Sequence, residues 1–483
     1  MSALAEYSIR AVLLVPLCSA VLLAALPGYR LTARLNVAAS LASFAAALTL
    51  LAGGRPEPGP YLILDDLNIV FIVLGTLVGF TTSLFSASYI QHELDSGRLT
   101  PGYLRFYHAM YQALMFAMNL ALVANNIGLM WVAIELATLT TVLMVGIYRT
   151  HEALEAAWKY FILGSVGIAL ALFGTILVYM AALPVVGPGR DAMVWSILVR
   201  HAAGFDASLL NLAFIFLLLG YGTKVGLAPL HAWLPDAHAE GPTPISAVLS
   251  GLLLNVALYA VLRFKLLLAA NPGAIAPGPL MVTMGLVSLV FAAFMLYRRR
   301  DIKRFFAYSS IEHMGIVSFA FGMGGPIANF AALLHMVLHS LTKSAIFFAV
   351  GHVSQVKATQ KIADIGGLTV SHPWLGWGLV TGVVAIAGLP PHGMFMSEFL
   401  IVSSTFARQQ WLAIPLVAGL LVALGALLLR LNGVAFGPVR GSVAPARASY
   451  VPMYAHLALV LMAGVYLPPP LTEWFRHVAA VLG

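Results

Sequence analysis

Apolar runs of about twenty residues recur along this chain from Val12 to Leu467, and a run of that length is what crosses a hydrocarbon core about 30 Å thick. They leave no polar stretch large enough for a soluble domain. Of the 483 residues, 61% are hydrophobic and only 9% charged, whereas a soluble domain carries about 25% charged residues. Such a chain cannot cover itself with polar surface, so its solvent is lipid. The expected fold is an all-α polytopic membrane protein, a single transmembrane domain over residues 1–483. Hydropathy predicts about fourteen spans, the first near 9–26 and the last near 450–468. The first run has Glu6 upstream, no basic flank and no small-residue cleavage site, so it reads as a retained helix and not a signal peptide.

The single cysteine, Cys18, lies inside that first helix, which excludes an internal disulfide, a paired-cysteine zinc site and an iron–sulfur ligand set. No GxGxxG or Walker pattern occurs, so any redox chemistry belongs to a partner. The net charge of +8 does not indicate nucleic acid, because basic residues at the cytoplasmic ends of spans produce such an excess by themselves. With the N-terminus placed outside, sixteen Lys and Arg fall on the cytoplasmic side, among them Arg105, Arg298, Arg299, Arg300, Lys303, Arg304 and Arg447. Eight fall on the other side, so both termini are expected on the non-cytoplasmic face.

Two spans are interrupted. One reaches Lys224 and then meets Pro229, Pro235, Pro242 and Pro244; the other contains Pro390 and Pro391 shortly before Glu398. Proline removes an amide donor and clashes with the preceding turn, and unwound backbone at membrane depth survives only inside protein or beside a wet cavity. The breaks lie about five spans apart, each beside a charge, as corresponding points of an internal repeat would.

An ionisable residue in mid-span costs at least ~2.5–3.5 kcal/mol on insertion scales and marks an ion path by default. Glu135 and Lys224 both stand in otherwise apolar stretches. Placed face to face, each keeps the other charged; with Glu135 drawn away, Lys224 releases its proton. A static pair locking two helices is the plainer alternative, but apolar packing does that with less desolvation. His335, His339 and Lys343 follow at i, i+4 and i+8, one face of a helix. Imidazole both donates and accepts and titrates near neutrality, which suits a relay. Structural histidines are the alternative, and the cation Lys343 argues against a metal site. At an effective dielectric near 20, charges 4 Å apart interact by ~4 kcal/mol, so a protonation change at one site shifts its neighbour.

Glu398 is the last deep carboxylate and is expected to pass the proton to the outer side, unless it simply meets water at a helix end. Glu312 and His313 follow the basic cluster at 298–304 and are expected near the point of proton uptake. His231 and His238 stand at the mouth of the first break as accessory candidates, with Asp236 and Glu240 read as loop or cap residues. No catalytic residue, cofactor site or metal ligand is assigned to the chain. The tail "LTEWFRHVAAVLG" is a candidate for a short amphipathic segment at the interface.

The segments "GYGTKVGLAPLHAWLPDAHAEGPTPISAVLSG", "DIKRFFAYSSIEHMGI" and "SEF" after "GLPP" resemble the antiporter-like subunits shared by respiratory complex I, Mrp cation/proton antiporters and group 4 membrane-bound hydrogenases. Within that family "YSSIEHMG" resembles the hydrogenase-4 branch. The resemblance runs from the third to the thirteenth predicted span. It implies two inverted five-helix repeats, near 108–268 and 279–434, with a discontinuous helix in each. It also implies that Glu135 pairs with Lys224, that His335, His339 and Lys343 form the central leg, and that Glu398 is the terminal charge. The departure is Asn255, where the family often has lysine or histidine; asparagine can hold water but carries no charge.

The implied function is proton translocation within a complex-I-like oxidoreductase of group 4 hydrogenase or formate-hydrogenlyase type, in a bacterial inner membrane. The implied partners are other membrane subunits, and soluble subunits that hold the iron–sulfur, nickel–iron or other redox centres. The chain itself would hold no cofactor and bind no nucleic acid. Three alternatives stay open: an Mrp-like Na+/H+ antiporter subunit, the membrane half of an inorganic-carbon uptake system, and a structural subunit whose charges no longer conduct.

Overall fold

A computed structural model describes residues 2–446 and 448–483. Arg447 lies outside the described residues, as do the side chains of Ser2, Ala3, Pro101, Leu104 and Arg105; the sides expected for Arg105 and Arg447 therefore go untraced. The chain begins with α1 (Ser2–Ala25), α2 (Tyr29–Ala52), α3 (Asp66–Asp95), α4 (Pro101–Val123) and α5 (Ile127–Val145). The long α6 (His151–Val186) precedes the short α7 (Trp195–His201), then α8 (Ala207–Val225) and, across a break, α9 (Trp233–Glu240). Helix α10 (Thr243–Val248) runs through a π-helical stretch, Leu249–Leu253, into α11 (Leu254–Ala269). Then come α12 (Gly278–Arg298), α13 (Ile302–Met323) and α14 (Pro326–Lys357). The short α15 (Leu368–Ser371) leads to α16 (Pro373–Ile386), α17 (Gly393–Arg408), α18 (Gln410–Leu431), α19 (Val451–Val465) and α20 (Pro469–Val481).

Several helices start where a short polar side chain can satisfy the orphan amides of the first turn. Thr150 accepts from Ala153 N, Asp206 from Leu209 N and Asp301 from Arg304 N, at 2.9–3.1 Å. Asp65 and Asn68 cap α3 reciprocally.

Among the described residues, ten helices are long and apolar enough to cross a membrane, or eleven if α19 and α20, bent by 81°, count as one span. Three predicted spans fall outside that set: α4, α13 and the segment of α16 and α17. Helix α13 carries Lys303, Arg304 and Glu312, and α16 and α17 are halves of one interrupted segment. The interior of the bundle is the stretch Thr243–Ala269, wholly buried in its most apolar window, and α14, buried over 94% of its own.

Both expected breaks are present. Between α8 and α9 the chain turns at Gly226 (φ +81°), and Trp233 Nε1 donates to the Thr223 carbonyl at 2.8 Å. Between α16 and α17 it turns at Gly388 (φ +66°). Small residues then set the depth of packing. Gly167, Ala171 and Gly174 on α6 face Leu217, Gly220 and Thr223 on α8, with no room for a Cβ at Gly167, Gly174 or Gly220. This close approach, common between membrane helices, brings Lys224 against Gly164.

Opposite ends of the bundle are tied by separate ion pairs. At one, Asp236 meets Arg304 (3.1 Å) and Lys159 (3.3 Å), and Glu240 meets Arg304 (3.4 Å). At the other, Asp66 meets Arg55 (2.6 Å) and His477 (3.2 Å), and Asp65 meets Arg263 (2.6 Å). The tail helix α20 folds back on this second end, with Trp474 Nε1 donating to Asp66 O at 3.0 Å and Leu482 O accepting from Lys265 at 2.8 Å.

Candidate functional site

Helix α5 carries Glu135 at its middle and α8 carries Lys224 in its last turn. Lys224 is 1% exposed, and its Nζ lies 3.9 Å from Glu135 Oε2. Neither atom has a hydrogen-bond partner. The C-terminal end of a helix favours a cation, and α8 ends at the break directly after Lys224. The Tyr160 ring lies 5.8 Å from the ammonium, and the Tyr160 hydroxyl pairs with Thr141 at 2.8 Å.

Helix α11 places Asn255 between this pair and α14. Its Nδ2 donates to Ser340 Oγ at 2.6 Å, while its Oδ1 has no partner. Ser340 in turn donates to the Gly251 carbonyl within the π-helical stretch, a distortion common at functional sites. Asn255 thus carries no charge but contacts the residue that follows His339.

On α14 the spacing of His335, His339 and Lys343 produces the single face it predicted, and that face is turned to α13. His335 Nε2 lies 3.0 Å from His313 Nδ1, and the His339 and His313 rings are 5.5 Å apart. Lys343 Nζ donates to the Phe306 carbonyl at 2.6 Å and lies over the Phe306 and Phe347 rings. Neither nitrogen of His339 has a partner.

Glu398 enters from α17, its carboxylate pressed against Gly388 in the second break. Donor or acceptor atoms of Glu398, His313 and His335 all lie within 4.8 Å of one another. That spacing is compatible with metal ligation, but both His335 nitrogens are already engaged, by His313 and by Ser397 at 3.0 Å. A hydrogen-bonded array suits proton exchange better.

Glu312 and His313, expected near proton uptake, are 2% and 1% exposed and stand beside His335, not at an opening. The reason is packing: α13 is buried on nearly every face from Phe305 to Phe321, so no opening lies along that stretch. His238 stacks on Phe347 at 4.8 Å, the ring that also underlies Lys343, and His231 packs on Phe291 at 4.7 Å. Asp236 and Glu240 were read as loop or cap residues, but both lie within α9, where they make the ion pairs already described.

Among the described residues, five further buried charges, Glu93, Arg263, Lys265, Lys303 and Lys357, were not singled out from sequence. Glu93 on α3 is fully buried, accepts from Gln355 Nε2 at 3.0 Å and lies 3.5 Å from Arg98. Lys303, grouped with the basic cluster, is 2% exposed and donates to Ala239 O and Gly241 O. Both sit near span ends where the local sequence is polar, so hydropathy gave no signal; only the neighbouring helices reveal that they are covered.

The family described as "NADH:quinone oxidoreductase/Mrp antiporter, TM" matches residues 124–423, the stretch that holds every one of these charges from Glu135 to Glu398. The chain belongs to this family. As a member of the antiporter family it is a multi-pass membrane protein. A relative named hydrogenase-4 component F homolog, from Methylacidiphilum infernorum (isolate V4), is 64% identical over 475 residues, 98% of this chain and 100% of the relative. It belongs to the branch to which "YSSIEHMG" pointed.

The fold is matched by a subunit of the membrane-bound sulfane sulfur reductase, an archaeal respiratory membrane complex, at TM-score 0.88 and 22% identity, covering 98% of this chain and 97% of that one. It is also matched by a subunit of respiratory complex I from Thermus thermophilus, at TM-score 0.81 and 22% identity, covering 99% and 100%. The antiporter-like fold with discontinuous helices expected from sequence is therefore the fold of this chain.

Proposed function

We propose that this chain is the proton-translocating membrane subunit of a complex-I-like oxidoreductase of hydrogenase-4 type. The observation that carries the reading is the Glu135–Lys224 pair. Two opposite charges stand 3.9 Å apart with no other hydrogen-bond partner. At an effective dielectric near 20 such a pair is worth ~4 kcal/mol, large enough to govern whether Lys224 keeps its proton and small enough to be undone by a modest movement of Glu135. From Lys224 the proton passes to the α14 face of His339, His335 and Lys343 and leaves by Glu398. Asn255 and Ser340 bridge the uncharged interval, with His231 and His238 as accessory groups.

The remaining features follow from this reading. Residues 108–268 and 279–434 are the two repeat units, each with one broken helix. The chain lies in a bacterial inner membrane with both termini outside, which the gathering of Lys159 and Arg304 at one end of the bundle supports. Its partners are further membrane subunits and soluble subunits that hold the redox centres.

The test is proton uptake by vesicles containing the reconstituted complex, normalised to electron flow. Lys224→Ala, His339→Ala and Glu398→Gln are each expected to lower it. Unchanged uptake in all three would remove the conducting role and leave a structural subunit. Uptake that requires sodium would favour the antiporter alternative.

A further inference from the structure

The last leg of the relay contains a hydrogen-bond chain with a direction. Ser397 Oγ donates its hydrogen to the Met394 carbonyl at 2.8 Å, so toward His335 Nδ1, 3.0 Å away, it can only accept. A neutral His335 then carries its proton on Nδ1 and presents a bare Nε2. That nitrogen is 3.0 Å from His313 Nδ1, so His313 must be the donor there and its own Nε2 is bare. This bare nitrogen lies 3.8 Å from Glu312 Oε2, and neither atom has any other partner. At the far end, an atom of Glu398 lies within 4.8 Å of the His313 and His335 nitrogens.

We propose that Glu312 and His313 are proton-carrying members of this leg, and that the proton travels Glu312, His313, His335, Glu398 and not along α14 alone. The inference rests on the proton-translocating reading above. In the step, the Glu312 carboxyl gives its proton to His313 Nε2 as His313 gives its Nδ1 proton to His335 Nε2. His335 gives its Nδ1 proton to Ser397 Oγ, its partner there, and Ser397 turns its own hydroxyl hydrogen from the Met394 carbonyl to Glu398. Glu312 ends as a carboxylate and Glu398 as a carboxyl. Both rings remain neutral with the hydrogen moved to the other nitrogen, and ring rotation restores the starting tautomers.

Besides the step to Glu398, which lies within 4.8 Å of the two rings without a hydrogen bond to them, the open link is the gap of 3.8 Å between Glu312 and His313, too long for a hydrogen bond and too short to hold a water between the atoms. A side-chain rotation of Glu312 closes it. Lys343 is the charged neighbour of Glu312, and Glu312 that of Glu398.

The experiment uses the reconstituted complex with Glu312→Gln, Glu312→Asp, His313→Gln and Lys224→Ala. Loss of a positioned proton-transfer group lowers the rate by about a hundredfold; that is expected for Glu312→Gln and His313→Gln, with partial recovery in Glu312→Asp, which regains a carboxyl. Infrared difference spectra under a proton gradient are expected to show a carboxyl band that Glu312→Gln removes and Glu312→Asp shifts. Near-normal transfer in Glu312→Gln and His313→Gln while Lys224→Ala fails overturns this inference and leaves the proposed function standing. Normal transfer in Lys224→Ala overturns the proposed function instead. Should the glutamine variants not assemble, the absence of any carboxyl band in the unsubstituted complex overturns the inference.

Discussion

Gly164 on α6 and Lys224 on α8 stand so close that a Cβ added to the glycine would lie 2.7 Å from the lysine Nζ. The ammonium is thus held toward Glu135 by bare backbone on one side and the Tyr160 ring on another. Because Nζ is the tip of a flexible side chain, Gly164→Ala is expected to fold and assemble normally while displacing the ammonium. Proton uptake should fall several-fold with subunit content unchanged on gel filtration. Unaltered uptake would show that the position of Lys224 is not tightly set.

Lys224→Arg keeps the charge but does not readily give up a proton. Its proton uptake is expected to match that of Lys224→Ala. Assembly should be better than in the alanine variant, since Glu135 keeps a counter-charge; removing one member of a buried pair costs about 3–5 kcal/mol. Uptake close to wild type in Lys224→Arg would mean that Lys224 serves only as a fixed charge.

Gly388→Ala meets two obstacles. Its φ of +66° costs a residue with a Cβ about 1–2 kcal/mol, and the added methyl falls on the Glu398 carboxylate. A lower melting temperature in detergent and a loss of uptake like that of Glu398→Gln are both expected. A stable variant with full uptake would place the working position of Glu398 elsewhere.

At Asn255 the side chain can only relay through hydrogen bonds. Asn255→Leu removes the 2.6 Å bond to Ser340, and losing such a contact at the rate-limiting transfer is worth about tenfold. Asn255→Lys restores a titratable group and is expected to preserve transfer. Equal rates in wild type and Asn255→Leu would route the proton around α11.

Asp301 lies outside the spans and caps α13. Burial pushes its carboxyl above the ordinary value, only partly offset by its bond from Arg304 N and the nearby Lys303 charge. The folded state therefore holds this proton to higher pH than the unfolded chain does, and stability falls as pH rises through that window. Asn is as good a cap as Asp and does not titrate. The melting temperature of wild type relative to Asp301→Asn should fall as pH rises from the ordinary carboxylate value, then level off. A pH-independent difference would show that the carboxyl is not buried in solution.

Much of the site was legible because spacing along one helix is a geometric fact. His335, His339 and Lys343 had to share a face, and they do. Pro229 and Pro391 had to interrupt their spans, and both breaks stand beside the charges that flank them in sequence. What sequence could not supply was which face of α13 met which face of α14. Glu312 and His313 were read as lying near a basic helix end, yet packing buries α13 there and sets His313 on His335. Glu93 and Lys303 were missed for the same reason, since burial at a span end depends on neighbours.

By itself the sequence determined the solvent, the helical class, the two interruptions and the charges that stand in mid-span, because each follows from local composition or from periodicity along a single segment. Only the tertiary structure decided that Glu135 stops 3.9 Å short of Lys224 and that His313 meets His335 at 3.0 Å. Those distances are set by where Gly164, Gly167, Gly174 and Gly220 let two backbones touch, and by the rotation of α13 against α14. Contacts between helices depend on every side chain packed between them, and no single segment encodes that.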